Sequence, residues 1–234
     1  MHPCFGETNL TDSQLEFTNK ILGSDALAAQ LITRIKRKQP TSVIRMSDGE
    51  RGLIAHGQGA PRSWFLNDPN WIKEYGLEGA DLLRVGRDLL TAGIDADYLA
   101  CTISGVFWEE YDVASYFPDR PQFVSSFFVA LMEATGRWDD VLSQAPVVVL
   151  HRHPGATVAK LTLKYKMSPT QGFRLDNWMD WDGIAKKLAK LPYSIVLTSG
   201  GAYTKPWMVR TAKETGHCIL DVGAGMTHTL TAGA

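Results

Sequence analysis

Short apolar segments alternate with longer helical patterns along most of the chain, and this alternation constrains the fold more than any other feature. Strands are predicted at residues 42–46, 98–103, 146–150, 172–175, 194–198 and 217–222. Helices are predicted at residues 12–38 with a break near Gly23, and at 51–56, 79–92, 107–116, 123–135, 157–166, 181–190 and 205–215. Strands separated by helices usually pair in parallel, so this order predicts an α/β fold with a mostly parallel sheet flanked by helices.

The chain of 234 residues is predicted to form one domain, because no linker divides it. A helical segment over residues 1–40 is expected to precede an α/β core over residues 41–234. The stretch 57–75 is rich in Gly, Pro, Asn and Trp and has no clear periodicity. It is predicted to be a long loop, and long loops in compact domains are often functional.

Composition and charge exclude several classes of protein. With 44% apolar and 21% charged residues, the chain is globular rather than disordered or fibrous. The formal net charge of −1 provides no global field for nucleic acid or an anionic membrane. The three cysteines have no CxxC spacing, and the chain shows neither an apolar membrane span nor a signal peptide. A cytoplasmic protein without a membrane span is therefore expected.

Four polar or flexible residues follow the first predicted strand, where α/β sheets bind ligands. Gly49 is predicted to be a flexible joint that turns Asp48 and Glu50 toward one point, as a divalent cation and its phosphate ligands require. Arg45, within the strand, is placed to pair with phosphate or to hold these carboxylates. Ser47 and Glu50 also match a helix capping box, so a structural role is the alternative.

A glycine-containing loop follows the strand at 194–198 and precedes a helix. Here Ser199, Gly200 and Gly201 would allow a phosphate to approach the backbone at the positive end of the helix. Lys205 supplies a further positive charge, and Asp221 ends the next strand about where a Rossmann acidic residue meets a ribose hydroxyl. The motif lacks a third glycine, so tight turns alone are the alternative explanation.

Two other strand ends carry candidate ligand-binding residues. His151 directly follows the run PVVVL, where an imidazole can ligate metal or transfer protons, although a polar loop is the alternative. Ser104, Trp108 and Glu110 follow the second predicted strand. The tryptophan is suited either to stacking on a base or sugar or to filling the core.

Motifs of several enzyme classes are missing from the sequence. The chain has no P-loop, no GxSxG elbow and no HExxH motif, which removes most support for an ATPase, a serine hydrolase or a zinc protease. A nicotinamide-dependent oxidoreductase that uses Gly200, Gly201 and Asp221 stays open as an alternative. A non-catalytic nucleotide-sugar-binding domain is another, because a fold does not prove activity.

The two strongest motifs together resemble a known family. VIRMSDGERGLI resembles the arginine-strand-DGE signature of the GT-D fold glycosyltransferases, and SIVLTSGGAYTKPWMVRTAKETGHCILDVG resembles their closing loop, helix and strand. The order and separation of these segments agree over most of the chain. The resemblance implies a single Rossmann-like domain of GT-D type that binds a nucleotide-sugar, typically a UDP-sugar, with manganese or magnesium.

The resemblance also implies roles for individual residues. Asp48 and Glu50 match the DGE acids that serve the metal and the diphosphate, and Arg45 matches the basic residue before them. A family histidine often follows the Asp-hydrophobic-Gly element directly, whereas here Ala224 follows it and His228 comes later. His228 is therefore expected as a metal ligand only if the glycine-rich turn folds back.

These residues predict a metal-dependent glycosyltransferase that moves a sugar from a nucleoside diphosphate to a hydroxyl acceptor. A divalent cation would stabilise the negative charge that develops on the leaving diphosphate. The base that accepts the acceptor proton is expected among Asp221, Glu110 and His151. The acceptor is left open between a glycan, a protein and a hydroxylated DNA base, and no motif indicates the oligomeric state.

A DNA acceptor would require a basic patch. The sequence offers Lys36, Arg37, Lys38, Lys160, Lys164 and Lys166. Phosphate contacts by such a patch would make binding fall steeply with salt. The run 34–38 is better explained as a solvated helix end whose cations complement the helix dipole.

Overall fold

The fold is built on one parallel sheet, whose strands come from most of the length of the chain. The computed structural model describes residues 12–101, 113–119, 122–165, 167 and 170–233, without the side chains of residues 12–15 and 48. The strands in these ranges are β1 (Ile21–Leu22), β2 (Thr41–Arg45), β3 (Tyr98–Ala100), β4 (Phe123–Val124), β5 (Val147–His151), β6 (Thr170–Arg174), β7 (Ile195–Thr198) and β8 (Cys218–Asp221). Across the described residues they form one sheet in the order β1-β4-β3-β2-β8-β7-β5-β6 with parallel pairings. The predicted α/β fold is confirmed.

All six predicted strands are present, and two short strands were not predicted. β1 interrupts the predicted helix 12–38 near Gly23, so the expected break takes the form of an edge strand inside the segment 1–40. β4 occupies the first residues of the predicted helix 123–135. The prediction of a helix was wrong for these residues, because the helix begins only at Phe128. A strand of two residues is too short to show the alternation from which strands are predicted.

Helices cover both faces of the sheet. In the described residues they are α1 (Asp12–Asn19), α2 (Ser24–Lys36), α3 (Asp48–Gly57), α4 (Pro69–Glu74), α5 (Leu82–Asp95), α6 (Phe128–Ala134), α7 (Arg137–Leu142), α8 (Pro154–Lys164), α9 (Trp181–Leu188) and α10 (Thr204–Thr215). Most of the predicted helix 107–116 lies outside the described residues. None of the described helices has the length and apolar character needed to cross a membrane.

The stretch 57–75 is more ordered than predicted. It contains a 3-10 turn (Trp64–Asn67) and the helix α4, so the prediction of one long loop was wrong. Asp68 caps α4 by accepting a hydrogen bond from the Asn70 N–H at 2.9 Å, and Pro69 stands in the first turn. A helix of six residues has too few turns to show a periodicity.

Alternate residues of the central strands enter two different cores. In β5, Val147 and Val149 belong to one buried cluster, whereas Val148 and Leu150 belong to the other. A strand directs successive side chains to opposite faces, so a strand buried on both faces reads as a continuous apolar run. Burying each such side chain stabilises the fold by about 1.5–3 kcal/mol. Both faces are thus filled, and the strand ends are the places left for a ligand.

The helix α3 is held tightly against α5. A Cβ atom at Gly86 would lie only 2.0 Å from the Leu53 carbonyl oxygen, and one at Gly57 would lie 2.7 Å from the backbone nitrogen of Arg87. The helix backbones therefore meet directly at these two glycines. This contact fixes the position of α3, whose first turn carries Glu50.

Candidate active site

A cleft of about 510 Å³ opens at the carboxyl edge of the sheet. Arg45, His151 and Asp221 end β2, β5 and β8 and line this cleft, and Ser199 lines it one residue after β7. Residues 74–76, which lie far from these strands in the sequence, form part of the wall. The structure therefore brings the two predicted motifs together at the edge where α/β sheets bind ligands.

A buried ion cluster lies at the base of this cleft. The Lys205 Nζ lies 2.6 Å from Glu50 Oε1 and 3.5 Å from Asp221 Oδ2, and all three residues are buried. Burial alone would raise the pKa of Glu50, but Lys205 and hydrogen bonds from Ser47 outweigh burial and lower this pKa. Burial alone would lower the pKa of Lys205, but Glu50 and Asp221 raise it. Glu50 and Lys205 are therefore both ionised at neutral pH.

Glu50 also caps its own helix. Its Oε2 accepts hydrogen bonds from the Ser47 N–H and the Ser47 hydroxyl, each at 3.0 Å. The capping-box interpretation is correct, and the same residue also lines the cleft and accepts a hydrogen bond from Lys205 with its other oxygen. Because α3 begins at Asp48, Gly49 lies inside a helix, and the prediction of a flexible joint was wrong. The Asp48 side chain lies outside the described structure.

Asp221 ties the ends of two strands together. Its Oδ2 accepts a hydrogen bond from the Arg45 N–H at 3.2 Å, and its Oδ1 accepts one from the Gly223 N–H at 3.1 Å. The Arg45 Nε is buried and has no hydrogen-bond partner within the described structure. Gly223 has a φ of +47°, and a Cβ atom there would lie 2.3 Å from Arg45 Nη1. The missing side chain at position 223 thus leaves room for the guanidinium group.

The glycine loop after β7 packs against the wall formed by residues 74–76. Gly201 has a φ of +78°, and a Cβ atom there would lie 2.5 Å from the Tyr75 carbonyl oxygen. At Gly200, a Cβ atom would lie 2.7 Å from Leu175 Cδ2. The glycines do permit a close approach, as predicted, but the approaching groups are parts of the protein itself.

Comparison with known families assigns this architecture. A family model described as a GT-D fold-like domain matches residues 22–229, from β1 to the turn after β8. The chain belongs to the GT-D-like family. Comparison with curated proteins and with solved structures gave no significant match. The resemblance read from the two motifs is therefore confirmed at the level of family and fold.

The other predicted site residues of this GT-D-like domain fall in different places. His151 lines the cleft, and its Nδ1 accepts a hydrogen bond from the His153 N–H at 3.2 Å. Burial is the main cause that lowers the pKa of His151. His228 is exposed and is not among the residues that line the cleft. Ser104 and Glu110 lie outside the described residues.

The GT-D-like cleft includes residues that were not predicted individually. They are Glu74, Tyr75, Gly76, Ser126, Asp176 and Thr227. Asp176 directly follows the predicted strand 172–175, so the rule that sites lie beyond strand ends would have found it. Ser126 follows β4, which is too short to be predicted, so the same rule could not have found it. Tyr75 carries no such local signal, because only the packing of α4 brings it to the cleft.

Proposed function

We propose that this GT-D-like domain transfers a sugar from a nucleoside diphosphate sugar, with UDP as the expected nucleotide, to a hydroxyl group. The observation that carries the proposal is the convergence of Arg45, the Lys205 ion cluster and the Ser199 loop in one cleft. The family match supports a glycosyltransferase-like fold. Because one fold can host many functions, the proposal rests on the chemistry of the cleft.

The cleft residues suit a diphosphate leaving group. During transfer, the acceptor oxygen bonds to the anomeric carbon while the bond to the diphosphate oxygen breaks, and the diphosphate leaves with the electron pair. Arg45 is proposed to bind this growing negative charge, because a guanidinium forms strong charge-assisted hydrogen bonds to phosphate. The single positive charge of Lys205 reduces the negative charge of the Glu50 and Asp221 pair, which would otherwise repel the diphosphate more strongly.

The acceptor hydroxyl must also lose its proton. Both oxygens of Asp221 already accept backbone hydrogen bonds, so we propose a positioning role for this residue. The Nδ1 of His151 lies 3.2 Å from the His153 backbone nitrogen and 3.0 Å from the Thr157 hydroxyl oxygen, which leaves Nε2 as the ring nitrogen for a ligand. We propose that His151 donates to the ligand, and Glu110 stays the predicted base.

Manganese or magnesium stays a prediction that comes from the family resemblance. The described side chains do not form a metal site as they stand, because the Lys205 ammonium is paired with both Glu50 and Asp221. Within the described side chains, no group of three or more His, Cys, Asp or Glu residues is arranged to hold a metal ion. The Asp48 carboxylate would have to complete such a site, where a bound cation would stabilise the negative charge on the leaving diphosphate.

Donor binding tests the proposed function directly. A UDP-sugar at one hundred times its dissociation constant is expected to raise the free energy of unfolding by about 2.7 kcal/mol. Thermal unfolding would be measured with UDP-glucose, UDP-N-acetylglucosamine and NADH, each with manganese and with a chelator. Stabilisation by NADH alone would favour the oxidoreductase, and donor binding without hydrolysis or transfer would favour a binding domain. Full donor turnover in chelator would contradict the predicted metal requirement.

Gly223→Ala is expected to weaken donor binding far more than it weakens folding. The new Cβ atom would displace the head of Arg45, a flexible group, so the main folding cost is the left-handed backbone at about 1–2 kcal/mol. Losing one charge-assisted hydrogen bond of about 1.5–3 kcal/mol should raise the donor dissociation constant roughly 10- to 100-fold. Isothermal titration with the donor measures this effect.

Gly136→Ala is the matched control for this change. Gly136 has a φ of +67°, and a Cβ atom there would meet nothing within 4 Å. The control should lose similar stability and keep the donor affinity of the unmodified protein. Equal donor affinity in the two variants would contradict the role of Arg45.

A further inference from the structure

A row of aromatic rings leads from the cleft to the protein surface. Tyr75 lines the cleft and stacks on Trp71, with ring centroids 4.0 Å apart. Trp71 lies 4.7 Å from Phe65, and Phe65 lies 5.8 Å from Trp64, again between centroids. Trp64 is 79% exposed. These four residues, here called the aromatic row, connect an exposed indole through ring contacts to a residue that lines the cleft.

Two glycines of α3 hold the aromatic row in place. A Cβ atom at Gly49 would lie 2.9 Å from the Trp71 ring, and one at Gly52 would lie 2.3 Å from the Phe65 ring. Both rings therefore rest directly on the helix that carries Glu50. The position of Trp64 relative to the ion cluster is set by this packing rather than by a free loop.

The segment 57–78, which carries Trp64, has polar exposed residues but no excess of positive charge. The exposed amides of Gln58, Asn67 and Asn70 occur in this segment. Over residues 57–78 the charged side chains are Arg62 and Lys73 against Asp68, Glu74 and Glu78. A polyanion needs a basic surface, and a protein partner needs a broader apolar patch, so this composition favours neither.

Four of the basic residues predicted to bind DNA, namely Lys36, Arg37, Lys38 and Lys164, do not adjoin this surface. Lys36, Arg37 and Lys38 directly precede β2, so they lie at the amino edge of the parallel sheet, opposite the cleft. Lys164 ends α8, which leads into β6 at that same edge. Its Nζ lies 2.7 Å from Glu133 Oε1 and donates a hydrogen bond to the Thr229 carbonyl at 2.8 Å. This arrangement argues against DNA as the acceptor.

We infer that the exposed indole of Trp64 is the acceptor subsite, and that the acceptor is a neutral carbohydrate. A sugar ring has a face of C–H groups and a rim of hydroxyls. An indole provides a large rigid apolar face, and side-chain amides both donate and accept hydrogen bonds. This inference rests on the proposed sugar transfer, because it identifies the second substrate of the same cleft.

Binding of neutral trisaccharides tests the subsite without requiring donor turnover. Cellotriose, chitotriose, maltotriose and mannotriose would be titrated by saturation-transfer NMR into the unmodified protein and into Trp64→Ala, Trp64→Phe and Leu163→Ala. At least one trisaccharide should bind, and Trp64→Ala should weaken its binding tenfold or more, while Trp64→Phe keeps most of the affinity. Leu163 is 81% exposed on α8, so Leu163→Ala is the matched control and should bind normally.

The donor assays distinguish failure of this inference from failure of the proposed function. Donor-dependent stabilisation and donor hydrolysis are measured on the unmodified protein and on the control Leu163→Ala, and they should be the same in both. Their absence from the unmodified protein would contradict the proposed function. The carbohydrate subsite would be overturned if no trisaccharide binds, if Trp64→Ala binds them equally well, or if a duplex containing 5-hydroxymethylcytosine shows Trp64-dependent binding.

Discussion

Lys205→Met should lower the free energy of unfolding by about 3–5 kcal/mol at neutral pH and abolish donor turnover. Methionine keeps the length of the side chain but removes the ammonium that lies 2.6 Å from Glu50 and 3.5 Å from Asp221. Removing one partner of a buried ion pair leaves an uncompensated buried charge, which costs about that much. Urea unfolding measures the stability, and donor hydrolysis measures the activity.

Two further variants separate charge from packing. Lys205→Met combined with Glu50→Gln should recover part of the lost stability, because one of the two uncompensated carboxylates is then neutral, but it should not recover turnover. Lys213→Met removes an exposed partner of Asp95, a pair with a distance of 2.9 Å, and should cost less than about 1 kcal/mol. If Lys205→Met lost as little unfolding free energy as Lys213→Met, Lys205 would not stabilise the buried carboxylates of Glu50 and Asp221.

The pH dependence of the Lys205→Met effect follows from the two pKa shifts. The folded-state pKa of Glu50 is lowered, so its contribution to stability is present above the unfolded pKa and is lost as the pH falls through the folded value. The folded-state pKa of Lys205 is raised, so its contribution is present below the unfolded pKa and is lost as the pH rises through the folded value. The difference in unfolding free energy between the unmodified protein and Lys205→Met should therefore be largest near neutral pH and become smaller in acid.

Gly201→Ala should lower the free energy of unfolding by about 2–5 kcal/mol and reduce donor turnover. The left-handed backbone at Gly201, with a φ of +78°, costs an alanine about 1–2 kcal/mol. The added Cβ atom would also lie 2.5 Å from the Tyr75 carbonyl oxygen, and relieving such overpacking costs about 1–3 kcal/mol. Tyr75 and the glycine loop would separate, which changes the shape of the cleft.

Gly216→Ala is the matched control for Gly201→Ala. Gly216 has a φ of +81°, and a Cβ atom there would meet nothing within 4 Å. It should show only the cost of the left-handed backbone and should keep its donor turnover. If Gly201→Ala and Gly216→Ala lose equal unfolding free energy in urea, the close contact with Tyr75 adds nothing to the cost of Gly201→Ala.

Much of the fold could be predicted because its signals are local. The run PVVVL predicts β5 because a strand buried on both faces is apolar at every position. The capping pattern of Ser47 and Glu50 predicts where α3 begins, since it depends on residues three apart. β1 and β4 escaped prediction because two residues carry no periodicity, and their pairing with neighbouring strands is what makes them strands.

The candidate site was predictable only in part. Arg45, Glu50, Ser199 and Asp221 were expected at the strand ends, and all four line the cleft. The salt bridge between Glu50 and Lys205 joins residues far apart in the sequence, so no motif could predict it. Its presence changes the interpretation of Glu50, whose carboxylate is already neutralised by a protein cation.

The sequence by itself determined the alternation of strands and helices, the family and the edge of the sheet where a ligand would bind. These follow from the local preferences of the backbone and from the rule that parallel strands all end at one edge. Only the tertiary structure decided that Lys205 pairs with both Glu50 and Asp221, and that the backbone of Tyr75 packs against Gly201. Such contacts depend on how distant segments pack, and packing is set by the shapes and charges of all the side chains together.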